Sequence, residues 1–302
     1  PGPFDTAGFL LAGGGLGLLM YGVSEGPIRH WSSAAVRGTI AGGVLLLAVL
    51  VLAELRKSRP LIDLRLLGNR LFRSANSVLI LSSASFIGTL YVVSLFFQDG
   101  RHLTALGSGL STFPEAIGVM GGAQLASRVL YVRLGPRRNI AVGMLGVATT
   151  IALMSLIGAQ TNLWWMRLLM FSLGVAIGQV FVPSQAAAFA GISPEATGRA
   201  STLFNVTRQL GSAVGVAVFT TVIVAVGATK VAAGRVTPDF TAYHMAFLVA
   251  AALAVAGAGL ALTIHDADAA ATMVRRRGRA PAPDPSAAAK TAGQVRPERP
   301  PG

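Results

Sequence analysis

Two residues of opposite charge, Glu115 and Arg208, stand deep inside long apolar stretches of the sequence. At the centre of a lipid bilayer each costs about 3 kcal/mol, so it must face water, protein or an opposite charge. One interpretation is a buried ion pair or a hydrogen-bonded strut between helices. The other is a site that binds a proton or cation, because ionisable groups inside a membrane mark ion pathways. We expect the two residues at similar depth, and the sequence leaves open whether they pair.

Six amide side chains lie in or next to the same stretches. Each could form hydrogen bonds between helices, worth about 0.6 kcal/mol, or contact a solute in a cavity. These residues are Asn76, Gln124, Gln179, Gln185, Asn205 and Gln209. Pro114 and Pro183 each remove one backbone hydrogen bond from a helix. Because a freed carbonyl group must face protein or a water-filled cavity, we predict helix kinks at both prolines, beside a path for solutes.

Residues suited to enzyme chemistry or metal binding are not grouped in this sequence. The four histidines are scattered at the ends of apolar stretches or between them, and there is no cysteine. The sequence patterns of a serine-hydrolase elbow, a phosphate-binding loop and a zinc protease do not occur. We therefore predict that the protein is not an enzyme and uses no cofactor or metal.

The composition indicates which environment surrounds these residues. Of the 302 residues, 53% are hydrophobic and 12% are charged, whereas soluble domains carry about 25% charged residues. A membrane-spanning helix needs about 20 apolar residues, and the sequence holds eight such stretches. We therefore predict an all-α polytopic membrane protein with eight transmembrane helices. The stretches are residues 6–23, 38–53, 75–97, 105–127, 139–159, 163–190, 200–227 and 243–264.

The basic residues predict the orientation of these helices. Nineteen of the 25 Lys and Arg residues fall in segments that eight spans place on one side of the membrane, if Arg208 is counted with that side. Basic residues favour the cytoplasmic side, so we expect both ends of the chain to be cytoplasmic and the protein to be a multi-pass cell-membrane protein. The net charge of +13 then reflects topology. The expected partner is the lipid bilayer, and no nucleic acid is expected.

Changes in composition divide the chain into four segments. Residues 1–55 are predicted to form an accessory pair of transmembrane helices, and residues 75–265 a six-helix bundle. Between them, residues 56–74 mix leucine with arginine, which predicts a cytoplasmic interfacial linker. Residues 266–302 form a basic tail rich in proline and alanine, which we expect to be disordered.

Five glycine pairs have a spacing of four residues, which puts both members on one face of a helix. Such pairs allow neighbouring helices to pack closely, or they form surfaces along which two bundles could move. The pairs are Gly13/Gly17, Gly38/Gly42, Gly118/Gly122, Gly174/Gly178 and Gly211/Gly215.

Four short motifs resemble those of a known family, both in their residues and in their order along the chain. The most specific is Pro194-Glu195-Ala196-Thr197-Gly198-Arg199-Ala200-Ser201, followed by Asn205, Arg208, Gln209, Gly211 and Gly215. The others are Phe4-Asp5-Thr6-Ala7-Gly8, Pro60-Leu61-Ile62-Asp63-Leu64 and Phe72-Arg73-Ser74-Ala75-Asn76. Over residues 4–264 the chain resembles the C-terminal part of major facilitator superfamily transporters, in their fourteen-helix drug:proton antiporter (multidrug efflux) family.

This resemblance implies an architecture and a function. The chain would hold the accessory helix pair and a C-terminal bundle of two inverted three-helix repeats, at residues 75–159 and 163–264, without the N-terminal six-helix half. It would be part of a secondary active transporter that exports small hydrophobic, amphipathic or cationic compounds in exchange for protons by alternating access. Glu115 and Arg208 are the candidates for proton coupling, and the six amides are candidates for cavity contacts.

One loop departs from the family pattern. Residues 133–138 resemble the basic loop signature of the superfamily but lack its aspartate, which argues against a gating salt bridge at this loop. Two other functions remain open at this point. The protein could transport a specific metabolite, or it could be a membrane scaffold that transports nothing.

Overall fold

A computed structural model describes residues 5–56, 63–232 and 235–269. Within these residues the chain forms eight long helices, and the predicted class of an all-α polytopic membrane protein is confirmed. The helices are α1 (Thr6–Arg29), α2 (Ala34–Arg56), α3 (Arg70–Leu95), α4 (Ala105–Leu125), α5 (Tyr131–Met154), α6 (Leu163–Phe189), α7 (Thr197–Val226) and α8 (Phe240–Ala261).

Six of these eight helices, all but α4 and α5, are long and apolar enough to cross a membrane. In α4, Ser108, Ser111, Thr112 and Glu115 lower the apolar content. In α5, three arginines lie among the first eight residues, so the apolar part of the helix is short. The predicted spans 105–127 and 139–159 therefore fall on helices, although α5 already ends at Met154, and both helices are more polar than the other six.

Side-chain caps decide where several helices begin. The Asn69 side chain accepts a hydrogen bond from the Phe72 N–H (3.0 Å), so α3 begins at Arg70 and not at residue 75. In the same way, Asn162 accepts a hydrogen bond from the Trp164 N–H (2.9 Å) at the start of α6. Such a cap satisfies one of the free N–H groups of the first turn. Helix α7 begins without a side-chain cap. Helices α3, α6 and α7 have 26 to 30 residues, well beyond the length that a bilayer core requires.

The bundle formed by α3 to α8 repeats one arrangement of three helices. Helices α4 and α5 pack against α6, and α7 and α8 pack in the same way against α3. In addition, α3 contacts α6 and α5 contacts α8. Exchanging the first three helices with the last three reproduces these neighbours, as expected for two inverted repeats. The exception is a contact between α7 and α8, which has no comparable counterpart between α4 and α5. The accessory helices α1 and α2 pack against each other, and α1 also contacts α7.

Glycines bring the backbones of α4 and α6 into direct contact. Gly118 and Gly122 on α4 face Gly174 and Gly178 on α6, and a Cβ atom at any of these four positions would overlap backbone atoms of the other helix. The close-packing interpretation is therefore confirmed for these two pairs.

The same kind of contact joins α7 to α3. Gly211 and Gly215 lie against the backbone of Ile80 and Ala84, again without space for a Cβ atom. Glycine spacing alone does not decide such packing, because at three glycines of α1 and α2 a Cβ atom would meet no neighbouring atom within 4 Å. They are Gly13, Gly17 and Gly38.

Between α7 and α8 the chain forms a two-stranded antiparallel hairpin that the sequence pattern did not predict. Strands β1 (Thr229–Ala232) and β2 (Arg235–Pro238) pair with Thr229 opposite Pro238. Valine and threonine suit short strands, but four residues are too few to establish a period of two. We call this side of the bundle the hairpin end. The opposite side, where α3, α5 and α7 begin, is the basic end.

At the basic end, the residues after α8 are tied to the α4–α5 connection. The Asp266 carboxylate accepts a hydrogen bond from the backbone N–H of Arg137 (2.9 Å) and lies against Gly135, whose φ is +75°. Next to it, Nη2 of Arg70 lies 2.9 Å from Nε2 of His265. Asp266 thus supplies an acidic group to the basic loop that lacks its own aspartate.

Two segments at this end were predicted from composition alone. The expectation of disorder from residue 266 is wrong for Asp266–Ala269, which form a short 3-10 helix because Asp266 binds the neighbouring loop. Residues 270–302 of the predicted tail lie outside the described residues. In the predicted linker, Leu64–Gly68 form another 3-10 helix, and Asp63 pairs with Arg199 of α7 at 3.5 Å. Residues 57–62 lie outside the described part.

Replacing Gly118 by alanine should destabilise the bundle. The added methyl group would overlap the α6 backbone, and overpacking of this kind costs about 1–3 kcal/mol. The matched control is Gly121→Ala on the open face of α4, where nothing lies within 4 Å; there alanine should leave stability unchanged or raise it by up to about 1 kcal/mol. Thermal unfolding in detergent measures both. Equal midpoints for the two variants would contradict the α4–α6 contact.

Removing the Asp266 carboxylate should release the Arg137 amide. A hydrogen bond to a charged group contributes about 1.5–3 kcal/mol, so in Asp266→Ala this amide should exchange with D₂O about tenfold faster or more. Asp268→Ala, on the same short helix, is the control and should leave exchange unchanged. Hydrogen exchange read by mass spectrometry over residues 131–140 compares them. Unchanged exchange in both variants would show that Asp266 does not hold the loop.

Candidate functional site

Glu115 lies near the middle of α4, on the side that faces α6. It shares this side with Ser108, Ser111, Gly118 and Gly122, which are buried, while most of the remaining surface of α4 is exposed. The Glu115 side chain is half-buried, and within the described part of the chain no basic group lies within salt-bridge distance of it. An acidic group without a cationic partner therefore stands at the edge of the α4–α6 contact.

Arg208 lies in a groove between α3, α6 and α7 with a volume of about 260 Å³. The side chain is exposed, and its hydrogen bond, at 3.4 Å, goes to Oδ1 of Asn205. The amide of Gln185 belongs to the same groove. Three of the residues singled out from the sequence are thus brought together. The groove is lined by Leu79, Phe181, Gln185, Phe204, Asn205 and Arg208.

The structure does not bring Glu115 and Arg208 together. The carbonyl group of Glu115 lies against Gly174 of α6, whereas Arg208 shares its groove with Gln185 of the same helix. The α6 residues of this groove, Phe181 and Gln185, are seven and eleven positions from Gly174, which is about 10 to 16 Å along the helix axis. The expectation of similar depth is therefore wrong. It assumed spans about as long as a bilayer core is thick, whereas α6 has 27 residues and α7 has 30.

Glu115 and Arg208 nevertheless occupy equivalent positions in the two repeats. Glu115 precedes Gly118 by three residues, and Arg208 precedes Gly211 by three. In the first repeat, Gly118 and Gly122 lie against the carbonyl oxygens of Phe171 and Val175, four residues apart on α6. In the second, Gly211 and Gly215 lie against those of Ile80 and Ala84, four residues apart on α3. The same helix contact thus positions an acid in one repeat and a base in the other.

The other amide candidates are dispersed. Gln179 lies in a separate groove of about 290 Å³ between α5 and α6, and its Nε2 donates to the Val175 carbonyl (3.3 Å). Asn76 is buried; its Nδ2 donates to the Phe72 carbonyl (2.8 Å), and its Oδ1 has no partner. The remaining two amides are on exposed surface; they are Gln124 and Gln209. These four residues do not belong to the Arg208 groove.

The two predicted kink prolines lie inside continuous helices. Helix α4 runs through Pro114 and α6 through Pro183, and among the described helices the non-helical backbone is at Gly135, just before Pro136 of α5.

Sequence analysis did not identify the aromatic residues Phe181 and Phe204 of the Arg208 groove. A phenylalanine in an apolar helix looks the same in the sequence whether it lines a groove or packs in the core.

The acidic and histidine side chains of the described residues are dispersed. Within residues 5–56, 63–232 and 235–269, the histidine, aspartate and glutamate side chains do not form a group of three that could hold a metal ion. What the arrangement offers instead is an acidic and a basic group at separate positions in the bundle, each beside open space or exposed surface.

Comparison with known proteins places this architecture in a family. The sequence profile of the Major Facilitator Superfamily matches residues 4–216. Similar proteins include a Multidrug resistance protein B homolog of Mycobacterium tuberculosis, 27% identical over 73% of this chain and 41% of its own length. The Tetracenomycin C resistance and export protein of Streptomyces glaucescens is 28% identical over 72% of this chain and 40% of its own length.

A third relative is the Cephamycin export protein CmcT of Amycolatopsis lactamdurans, 33% identical over 72% of this chain and 45% of its own length. The chain therefore spans less than half the length of these curated relatives. The family profile covers more than two thirds of the 302 residues, and the repeated three-helix arrangement agrees with it. The chain belongs to the Major Facilitator Superfamily.

Proposed function

We propose that the chain is the C-terminal part of a secondary active transporter, which exports hydrophobic or amphipathic compounds in exchange for protons by alternating access. The observation that carries this proposal is the placement of Glu115 and Arg208 at equivalent positions of two helix repeats, beside exposed surface. If the two residues formed a buried structural ion pair, their charged groups would lie next to each other, and they do not. Similar proteins named for drug resistance or antibiotic export support the export of such compounds.

Glu115 is the proposed proton site. Its carboxyl group has no cationic partner within the described residues, and four residues before it the buried hydroxyl of Ser111 is also without a hydrogen-bond partner. A carboxyl group in this position can bind and release a proton when its access to water changes. One proton that crosses 100 mV releases about 2.3 kcal/mol, enough for roughly a fiftyfold gradient of a neutral solute.

The exposed sides of α4 and α7 are the proposed contact surfaces for the N-terminal six-helix half. Large apolar side chains such as Leu106, Phe113 and Met120 are more than half exposed on α4, and Val214 is 45% exposed on α7. In a transporter with two bundles, the substrate cavity lies between them. The 302 residues would hold one wall of this cavity, so we expect them to transport nothing by themselves.

We also propose that the basic end faces the cytoplasm of the cell. This end carries the arginine-rich connections before α3 and between α4 and α5, as well as the Arg199 region before α7. Basic connections favour the cytoplasmic side of a membrane.

Replacing Glu115 by glutamine should uncouple transport from protons in the full-length protein. In inside-out vesicles, the wild type should accumulate the best substrate of a panel of neutral, anionic and cationic fluorescent dyes when a proton gradient is imposed. Glu115→Gln should lose this stimulation, because glutamine cannot carry a proton. Glu195→Gln, at an exposed carboxylate between α6 and α7, is the matched control. If dye accumulation by Glu115→Gln responded to the proton gradient as the wild type does, Glu115 would not be the proton site.

Orientation can be measured with single cysteines, because residues 1–302 contain none. In an otherwise cysteine-free full-length protein, Gln160→Cys at the hairpin end should react with a membrane-impermeant maleimide added to intact cells. Ser193→Cys at the basic end should react only after the cells are opened. Both side chains are exposed. The opposite labelling pattern would reverse the proposed orientation.

A further inference from the structure

The Arg208 groove has a polar and an apolar side. Arg208, Asn205 and Gln185 provide its polar groups, and the partly exposed ring of Phe181 provides apolar surface, while Leu79 and Phe204 are buried beneath it. The two rings are fixed by edge contacts with other aromatic side chains. Phe181 contacts Phe86 at 5.8 Å between ring centroids, and Phe204 contacts Phe189 at 5.7 Å. The groove therefore presents one ring surface, that of Phe181, next to a cluster of hydrogen-bonding groups.

The charge of this groove is positive. The guanidinium group has five N–H donors, and a single hydrogen bond of 3.4 Å, to Asn205, is found for it among the described residues. No carboxylate of the described chain lies within salt-bridge distance of Arg208. Glu115, the acid at the equivalent position, packs against Gly174, which is about 10 to 16 Å along α6 from the residues of this groove. A cation at this depth in an apolar helix requires water or a negative group nearby.

We propose that the Arg208 groove binds the negatively charged end of an amphipathic substrate. This inference rests on the proposed transport function and narrows its substrates to amphipathic anions. The planar guanidinium can bind a carboxylate through two parallel hydrogen bonds, which lysine cannot reproduce. The amides of Asn205 and Gln185 orient the same group, and the ring of Phe181 contacts the apolar part.

This assignment separates the substrate from the proton. The anion binds at Arg208 in the second repeat, and the proton binds at Glu115 in the first. A cationic compound in the groove would meet the like charge of Arg208, which destabilises the complex. The inference therefore replaces the expectation that cationic compounds are substrates.

The test uses two dyes with the same xanthene ring system and opposite charge, fluorescein and rhodamine 123. Binding to the full-length protein in nanodiscs is measured by fluorescence anisotropy at pH 7.5. The wild type should bind fluorescein more tightly than rhodamine 123. Arg208→Gln should weaken fluorescein binding about ten- to a hundredfold and leave rhodamine 123 binding unchanged or tighter. Arg208→Lys should fall between the wild type and Arg208→Gln for fluorescein.

The control variant is Arg128→Gln, which removes the same charge from an exposed position after α4 and should bind both dyes as the wild type does. Thermal unfolding of each variant shows whether the fold is kept. A wild type that prefers rhodamine 123 would overturn the inference. So would equal losses for both dyes in Arg208→Gln, which would mean that Arg208 stabilises the protein or pairs with an acid of the N-terminal half.

Failure of the groove assignment and failure of proton-driven export would give different results. If the wild type binds fluorescein through Arg208 but no dye accumulates in vesicles under a proton gradient, the groove assignment stands and proton-driven export fails. If rhodamine 123 accumulates and fluorescein does not, export stands and the assignment of anionic substrates fails.

Discussion

Hydrocarbon cannot solvate a charged side chain, and this constraint governs the whole arrangement. A charge inside an apolar helix must face protein, water or an opposite charge, or the helix will not insert stably. The bundle meets this requirement for Glu115 and Arg208 without pairing them. Each is placed on a helix, α4 or α7, that is packed mainly on one side and leaves space beside the charge. The positions of these two helices therefore decide where the two charges stand in the bundle.

Glycine is what makes one-sided packing stable. Without a hydrophobic driving force between helices in lipid, close van der Waals contact has to hold them together. At Gly118 and Gly122 on α4, and at Gly211 and Gly215 on α7, the helix backbones touch directly. The charged residue precedes each glycine pair by three positions, so the contact that anchors the helix also fixes the charge. Repetition of this unit gives two sites with one geometry and opposite charge.

The sequence predicted what depends on apolar content and missed what depends on distant contacts. All eight helices follow from apolar stretches, and α6 begins where its apolar stretch begins, but the start of α3 was missed because its cap, Asn69, lies outside the apolar residues. The error in the depth of Arg208 follows from the lengths of α6 and α7. Asp266 was assigned to a disordered tail because nothing local shows that it binds Arg137, 129 residues away. The equivalence of Glu115 and Arg208 was visible in their spacing from glycine, but only the contacts identify those glycines as equivalent.

We propose that Glu115 and Arg208 act at separate positions and do not form an ion pair. The distance between residues 115 and 208 in the full-length protein tests this most directly. Spin labels at Glu115→Cys and Arg208→Cys, in a cysteine-free background, report this distance by electron paramagnetic resonance. We predict a separation of about 10 Å or more. Labels in direct contact, as for an ion pair whose charged atoms are within about 4 Å, would contradict it.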